Sequence, residues 1–525
     1  MARDLVQVPL DQPTAEPGPA TSEPAPERRA PGSRRRGLRR PSALSGWLLV
    51  VIAGVGFFVS TPPSAGPDEP YHEVTAWYLS GHGLRPGSIE WFSVPASFLI
   101  DPCFKGKADV TASCAPAPST GLATTSTSGV LGYPPPYYWV VGVGQRIAVS
   151  LAGVQYADVG GRLASFILNF AALLLLSLYM RRRNQLWGTF LLLVSTPMAV
   201  FLGIVVNPSG WEVTCGVVLA AILSEAVWNR EALESDEWPK TTTLILVVAS
   251  IALCLARPVG LVWASGLTVA AIALAPSMNR RLLLRAACAV APGIVMGMLW
   301  YLTNPAGSPA LTAVTSPAAV PNLDTSLAAS FVFFPLRLYQ MFGVLGWLDT
   351  PMPVLLLLGN LVAWGFLLRR MPSIGRAAML CGIFGIVIAP SIIESSVSGV
   401  PQFWWQGRYT LPFALGFVLL LLLRSGWLVP RTISIVSSLS LFSLGLMVWI
   451  NAVRYDFGLN VYGLPASLGP PGISPVRLLL PVAVGALLLL ASGYLLVQAW
   501  RMERDVRPRL EPETLSAPPS PIGIV

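Results

Sequence analysis

Residues 60–73 read Ser60-Thr-Pro-Pro-Ser-Ala-Gly-Pro-Asp-Glu-Pro-Tyr-His-Glu73, and they follow directly on an apolar run from 43 to 61. A run of that length crosses a hydrocarbon core of roughly 30 Å as a helix. Two prolines stop it, and Asp68 and Glu69 then stand side by side just beyond its end. Pro67 and Pro70 favour a fixed turn that opens a second helix. On that helix Glu69 shares a face with His72 and Glu73. The stretch therefore reads as a membrane span, a stop and an acidic edge.

The rest of the chain has the same character. Of its 525 residues 53% are hydrophobic and 12% charged, and the mean hydropathy is +0.62, outside the range of soluble globular domains. Apolar windows of about 17–22 residues recur, each long enough for a transmembrane helix. A β-barrel is excluded, because its strands would alternate every second residue. The net charge of +9 does not point to nucleic acid, because the arginines cluster in short loops between apolar runs, the signature of membrane topology.

These features predict an all-α polytopic membrane protein with about twelve transmembrane helices, at 43–61, 160–180, 186–206, 211–229, 241–256, 258–276, 284–302, 351–368, 377–393, 410–424, 431–450 and 478–499. Residues 1–42 read as a disordered basic cytoplasmic tail and 501–525 as a disordered tail on the same side. The membrane domain between them (43–500) carries a large first outer loop, 62–159, and a second, 303–350. The segment 134–152 is apolar enough to cross. Treating it instead as an interfacial helix collects most of the 35 lysines and arginines in inner loops, as the positive-inside rule requires. Its three prolines and Arg146 agree with that placement. The expected location is a cell membrane, multi-pass, with both termini cytoplasmic.

Four of the six cysteines fall inside predicted spans as small apolar filler. Cys103 and Cys114 both lie in the first outer loop, separated by a turn without a metal-ligand pattern. On an oxidising face they are expected to form a disulfide.

With this topology the notable polar residues fall on one side: Asp68, Glu69, His72 and Glu73; Arg162; Asn207 and Glu212; Arg257; Asp349; Glu394; and Gln406, Arg408 and Tyr409. Ionisable groups at membrane depth are costly, so a convergent set marks a functional site. Carboxylates accept a proton from a hydroxyl nucleophile or hold a divalent cation, magnesium or manganese. Arginines bind phosphate in bidentate fashion. Duller roles exist for each. Asp68 and Glu69 suit a helix cap, Arg257 and Arg408 suit headgroup anchors, and Asn207 with Pro208 suits a helix stop.

The ordered segments "TPPSAGPDEPYH", "NPSGWE", "LARP", "FGVLGWLDTPMP" and "QGRYTLP" resemble the recurring blocks of domain of unknown function family 2142 over residues 43 to 500. More distantly the chain resembles glycosyltransferase superfamily C, with Asp68-Glu69 and Pro134 to Trp139 in the places of that superfamily's acidic motif and Pro-Pro-aromatic helix. Where such enzymes often carry an acid near the outer end of the third span, this chain has Asn207, with Glu212 five residues on. The resemblance implies a membrane glycosyltransferase moving a sugar from a polyprenyl phosphate to a cell-envelope glycan, lipid or protein. Asp68 and Glu69 would be catalytic, with Asp68 a possible metal ligand. Arg408, Arg257 and Arg162 would bind phosphate, and His72, Asn207, Glu212, Asp349, Gln406 and Tyr409 the substrates. A non-enzymatic transporter, flippase or assembly partner for an envelope precursor is the alternative. Transporters usually show two related halves, and no such repeat is visible.

Overall fold

In the computed structural model the first apolar run forms α1 (Ala43–Ser60), which starts on Ser42, whose side chain accepts the Ser45 N–H. It ends where Pro62 and Pro63 cannot continue the helix. The structure describes residues 42–82, 91–117, 119–126, 130, 132–228, 239–275, 279–304, 323–369, 382, 384–396, 405–424, 430–460, 464–466 and 475–504. All lie in the compact unit Arg39–Val525. The expected tails fall almost entirely outside these residues, as do 305–322 of the second outer loop and Arg370 and Arg376.

The further helices are α2 (Glu69–His82), α3 (Pro135–Ala152), α4 (Ala157–Met180), α5 (Trp187–Val194), α6 (Pro197–Leu202), α7 (Pro208–Trp228), α8 (Lys240–Cys254), α9 (Gly260–Ala273) and α10 (Arg280–Thr303). After them come α11 (Leu323–Val332), α12 (Phe334–Gly343), α13 (Val354–Arg369), α14 (Ala389–Ser396), α15 (Leu411–Arg424), α16 (Pro430–Phe457) and α17 (Pro475–Arg504). Two short antiparallel pairs stand beside the helices: β1 (Phe92–Pro95) with β2 (Leu122–Thr125), and β3 (Val344–Leu345) with β4 (Thr350–Pro351).

Among the described residues six helices are long and apolar enough to cross a membrane: Ala43–Ser60, Val154–Met180, Pro208–Trp228, Arg280–Thr303, Arg431–Phe457 and Leu478–Arg501. Shorter apolar helices accompany them. The chain is a multi-pass helical membrane protein. The expected span 186–206 takes a different form, being divided into α5 and α6. Thr196 accepts the Ala199 N–H and Pro197 takes the first helical position, so a new helix starts inside the apolar run.

Helix α7 is the centre of the bundle: 83% of its apolar window is buried, and it packs against α15, α8 and α9. The α16–α17 pair packs on α1. Helix α3 accompanies only the first part of α4, with Tyr137 Oη 3.1 Å from Ser165 Oγ. There Gly144 and Gly160 let the two backbones approach so closely that a Cβ on either would collide with the other's carbonyl. Although 18 residues long, α3 is not among the six span candidates.

A polar layer closes the end of the bundle where α1 stops. Cys103 and Cys114 are joined by a disulfide with Cα atoms 6.1 Å apart. Arg454, at the end of α16 and fully buried, donates to the carbonyls of Val110 (2.6 Å), Phe104 (3.1 Å) and Lys107 (2.7 Å) in that loop. The same guanidinium lies 3.1 Å from Asp349 Oδ2, which also accepts the Gly106 N–H. Trp347 Nε1 donates to Ser64 O at 2.9 Å, which ties this layer to the turn between α1 and α2.

Candidate active site

Four turns at helix ends converge here: 61–68 after α1, 203–207 before α7, 255–259 before α9, and 405–410 before α15. The first is set by Asp68, whose φ of 58° lies in the left-handed region. Asp tolerates this conformation better than most residues. Its carbonyl accepts the N–H groups of Tyr71 (3.1 Å) and His72 (3.3 Å) and so opens α2.

The same turn sends two adjacent carboxylates in opposite directions. The side chain of Asp68 remains 40% exposed, whereas that of Glu69 is fully buried. Glu69 receives Arg162 Nε at 2.7 Å and Nη2 at 2.6 Å, on different oxygens. It also accepts the backbone N–H groups of Gly66 (2.8 Å) and Val206 (3.0 Å). Arg162 spends its remaining donors on the carbonyls of Thr61 and Pro62, at 2.7 Å each. The expected roles of Glu69 as a catalytic carboxylate and Arg162 as a phosphate ligand meet a different geometry: each is bonded to the other and to the backbone away from solvent, and neither lines the cavity. A buried, fully bonded pair of this kind holds a conformation.

Beside it lies a cavity with ≈ 170 Å³ of space, below the roughly 300–1,000 Å³ of pockets that enclose a drug-sized ligand. It admits a headgroup rather than a whole lipid. Asp68, Tyr71 and His72 form one wall, Val130 and Tyr133 a second, and Asn207, Ser209, Arg257, Arg408 and Tyr409 the rest. Asn207 Nδ2 donates to Pro67 O at 2.7 Å and its Oδ1 accepts the Ser209 N–H at 2.9 Å. It thereby joins the first turn to the start of α7. Arg408 Nη2 lies 2.6 Å from Asp68 Oδ2 and 3.1 Å from Tyr409 Oη. Arg257 Nη1 donates to Ser209 Oγ at 2.7 Å, and its guanidinium lies 4.5 Å from the Tyr409 ring centroid. Its Nε is buried without a hydrogen-bond partner. Among the described residues no carboxylate stands within ion-pair distance of Arg257; Glu212 acts on it only at longer range, and its guanidinium lines the cavity.

Of the other expected residues, His72, Asn207 and Tyr409 reach the cavity, and Glu212, Asp349 and Gln406 do not line it. Asp349 is taken by Arg454. Glu212 is buried within α7, and neither of its oxygens has a hydrogen-bond partner. Gln406 turns its Oε1 into the interior. Sequence reasoning missed Tyr71, Tyr133 and Ser209, although Tyr133 directly precedes the Pro134–Pro136 run and Ser209 lies within "NPSGWE". It also missed how the 405–410 turn is held. Gln340 Oε1 accepts the Gly407 N–H at 2.7 Å, and Glu394 accepts the Trp405 N–H at 2.8 Å while pairing with Arg337 at 3.1 Å. A side chain at Gly407 would collide with Arg337 O.

Burial, with Asp68 opposing it and Arg257 and Arg408 adding to it, pushes the His72 imidazole down to about 3. Burial, with Glu69 and Asp158 nearby, raises the Glu73 carboxyl well above its ordinary range; both of its oxygens lack a hydrogen-bond partner. The donor set offers no all-protein cage for a divalent cation: among the described residues no three His, Cys, Asp or Glu side chains come together to hold one, and Asp68, the one carboxylate lining the cavity, pairs with Arg408.

Fold and site together define a multi-pass helical membrane protein with a cationic, tyrosine-walled cavity at one end of its helices. The family model described as "Predicted membrane protein (DUF2142)" matches residues 51–417, and the chain belongs to that family. No curated protein matches it in sequence. Among solved structures it is similar to ArnT from Cupriavidus metallidurans in the apo state, with a TM-score of 0.43 and 16% identity over 87% of this chain and 77% of that one. It is similar also to the same protein bound to undecaprenyl phosphate, with a TM-score of 0.41 and 16% identity over 88% of this chain and 78% of that one.

Proposed function

We propose that the protein is a membrane glycosyltransferase of the superfamily C type. It transfers a sugar from a polyprenyl-phosphate donor to a cell-envelope acceptor on the outer face of a bacterial cytoplasmic membrane, with both termini inside. The observation that carries this reading is Arg257, with no carboxylate at ion-pair distance, beside the Asp68–Arg408 pair in a headgroup-sized cavity. Two guanidiniums facing one small space bind a phosphate, and the partly exposed carboxylate paired with one of them orients a hydroxyl.

In the transfer, the acceptor hydroxyl oxygen attacks the anomeric carbon of the donor. The bond from that carbon to the phosphate oxygen breaks, and its electron pair stays on the phosphate. Arg257 and Arg408 stabilise the charge that develops there. Asp68, steadied by Arg408, aligns the hydroxyl. Tyr71, Tyr133 and Tyr409 supply ring faces and hydroxyls against which a sugar packs.

Proteoliposomes supplied with a radiolabelled polyprenyl-phosphate sugar and an envelope extract test the reading. Label passing to an acceptor with the parent chain and not with Asp68→Asn supports it. Donor crossing the bilayer unchanged favours a flippase instead.

A further inference from the structure

His72 has no task in the transfer as described, and its surroundings give it one. It lies one turn beyond Asp68 on α2, lines the cavity and is 4% exposed. Its Nδ1 lies 2.8 Å from Tyr138 Oη, and its ring stacks on that of Tyr138 with centroids 5.9 Å apart. Among the described residues Nε2 has no hydrogen-bond partner, so it is the nitrogen left for a ligand. The titratable and charged groups around it are Asp68 and Tyr71 from the start of its own helix, Tyr133 and Tyr138 from the start of α3, Arg257 from the turn before α9, and Arg408 and Tyr409 from the turn before α15. Asp68 balances Arg408, which leaves Arg257 as the cation without a carboxylate at ion-pair distance.

We propose that His72 is a ligand-dependent proton acceptor, neutral in the empty cavity and protonated on Nε2 when a phosphate monoester dianion lies between Arg257 and Arg408. The proposal rests on the phosphate reading of the cavity and goes beyond it in assigning the destination of the proton. The ligand-free ring is held neutral by burial, against Asp68, and by Arg257 and Arg408. Those two cations are the groups a bound phosphate neutralises. A dianion exceeds the single net positive charge of the side chains, and the excess favours an imidazolium.

The transfer reaction produces this situation. The donor is a phosphodiester with one negative charge. Once its bond to the sugar breaks, the phosphate becomes a monoester with up to two. The acceptor hydroxyl loses its proton in the same event, and Nε2 takes it, with Nδ1–H donating to the Tyr138 oxygen throughout. The imidazolium then donates to the phosphate until product release returns the proton to water. Donor and product thus differ in the charge they require of His72, and the site distinguishes a phosphate monoester from a diester.

The chain has two histidines, both on α2, so ¹⁵N-histidine labelling of the full chain in nanodiscs gives two imidazoles, and His82→Asn assigns them. The probes are farnesyl phosphate, a monoester, and its methyl ester, a monoanionic diester, with the ³¹P resonance of each reporting binding independently. The expected result at about pH 7 is a neutral His72 without ligand and an imidazolium with farnesyl phosphate bound, which from a starting value of about 3 means a midpoint raised by about 4 units or more, a roughly ten-thousand-fold gain in proton affinity. The methyl ester should move it far less. An imidazolium without ligand, or a neutral ring with farnesyl phosphate bound, overturns the inference and leaves the phosphate site intact. Failure of both probes to bind overturns the phosphate reading and the inference together.

Discussion

Arg408 Nη2 and Asp68 Oδ2 lie 2.6 Å apart although 340 residues separate them in sequence. The pair joins the turn after α1 to the turn before α15. Because Asp68 keeps part of its surface open to the cavity, the contact orients a carboxylate that a substrate can still reach.

Asp68→Asn is expected to reduce transfer by about 10²-fold or more, the scale of misplacing a reacting group, because the acceptor hydroxyl loses the carboxylate that aligns it. Its thermal unfolding temperature in detergent should fall much less than that of Glu69→Gln, because Asp68 is 40% exposed and Asn tolerates a positive φ as Asp does. Asp68→Ala should lose activity and stability together, since Ala at φ 58° is strained by about 1–2 kcal/mol. An active Asp68→Asn protein contradicts the assignment.

Glu69→Gln is expected to behave in the opposite way. It leaves Arg162 buried with half of its charge-assisted bonds weakened, and breaking a buried pair costs about 3–5 kcal/mol. A large fall in melting temperature is predicted. Unchanged stability with lost transfer would restore Glu69 to a chemical role.

Glu73 predicts a pH dependence. Its carboxyl is raised by burial, so above the ordinary carboxylate range the folded chain holds a proton that the unfolded chain has released. Stability therefore falls as pH rises through that range. Glu73→Gln removes the titration, and its melting temperature should exceed the parent's at about pH 8, with the gap closing towards about pH 4. A gap that widens on acidification contradicts this.

The disulfide and Arg454 act on one loop. Closing a loop with a sequence separation of 11 contributes roughly 3 kcal/mol through the unfolded state. Alkylation before reduction should leave Cys103 and Cys114 unmodified, alkylation after reduction should label both, and reduction should lower the melting temperature. Two thiols that alkylate freely without reductant would show that the loop is open.

Much of the site was legible because charges at membrane depth are expensive. Counting arginines across the loops was enough to put Asp68, Arg257 and Arg408 on one side. What failed was the division of labour between neighbours. Asp68 and Glu69 are adjacent acids, and which one meets the cavity depends on a single backbone angle that no periodicity records. Arg162 looked like a phosphate ligand because its partner could not be identified from spacing alone. Arg454 drew no attention in the sequence because its partners are carbonyls of a loop some 350 residues earlier, which no local spacing reveals. The break at 195–197 did have a signal, Thr196-Pro197, but it sat inside an apolar run whose length argued for one helix.

If Arg257 and Arg408 hold a lipid phosphate beside Asp68, a cryo-EM map of the full chain in nanodiscs with a polyprenyl phosphate will show phosphate density within hydrogen-bond distance of both guanidiniums, in the cavity walled by Tyr133 and Tyr409. Phosphate density elsewhere, with this cavity unchanged from the ligand-free map, would contradict it.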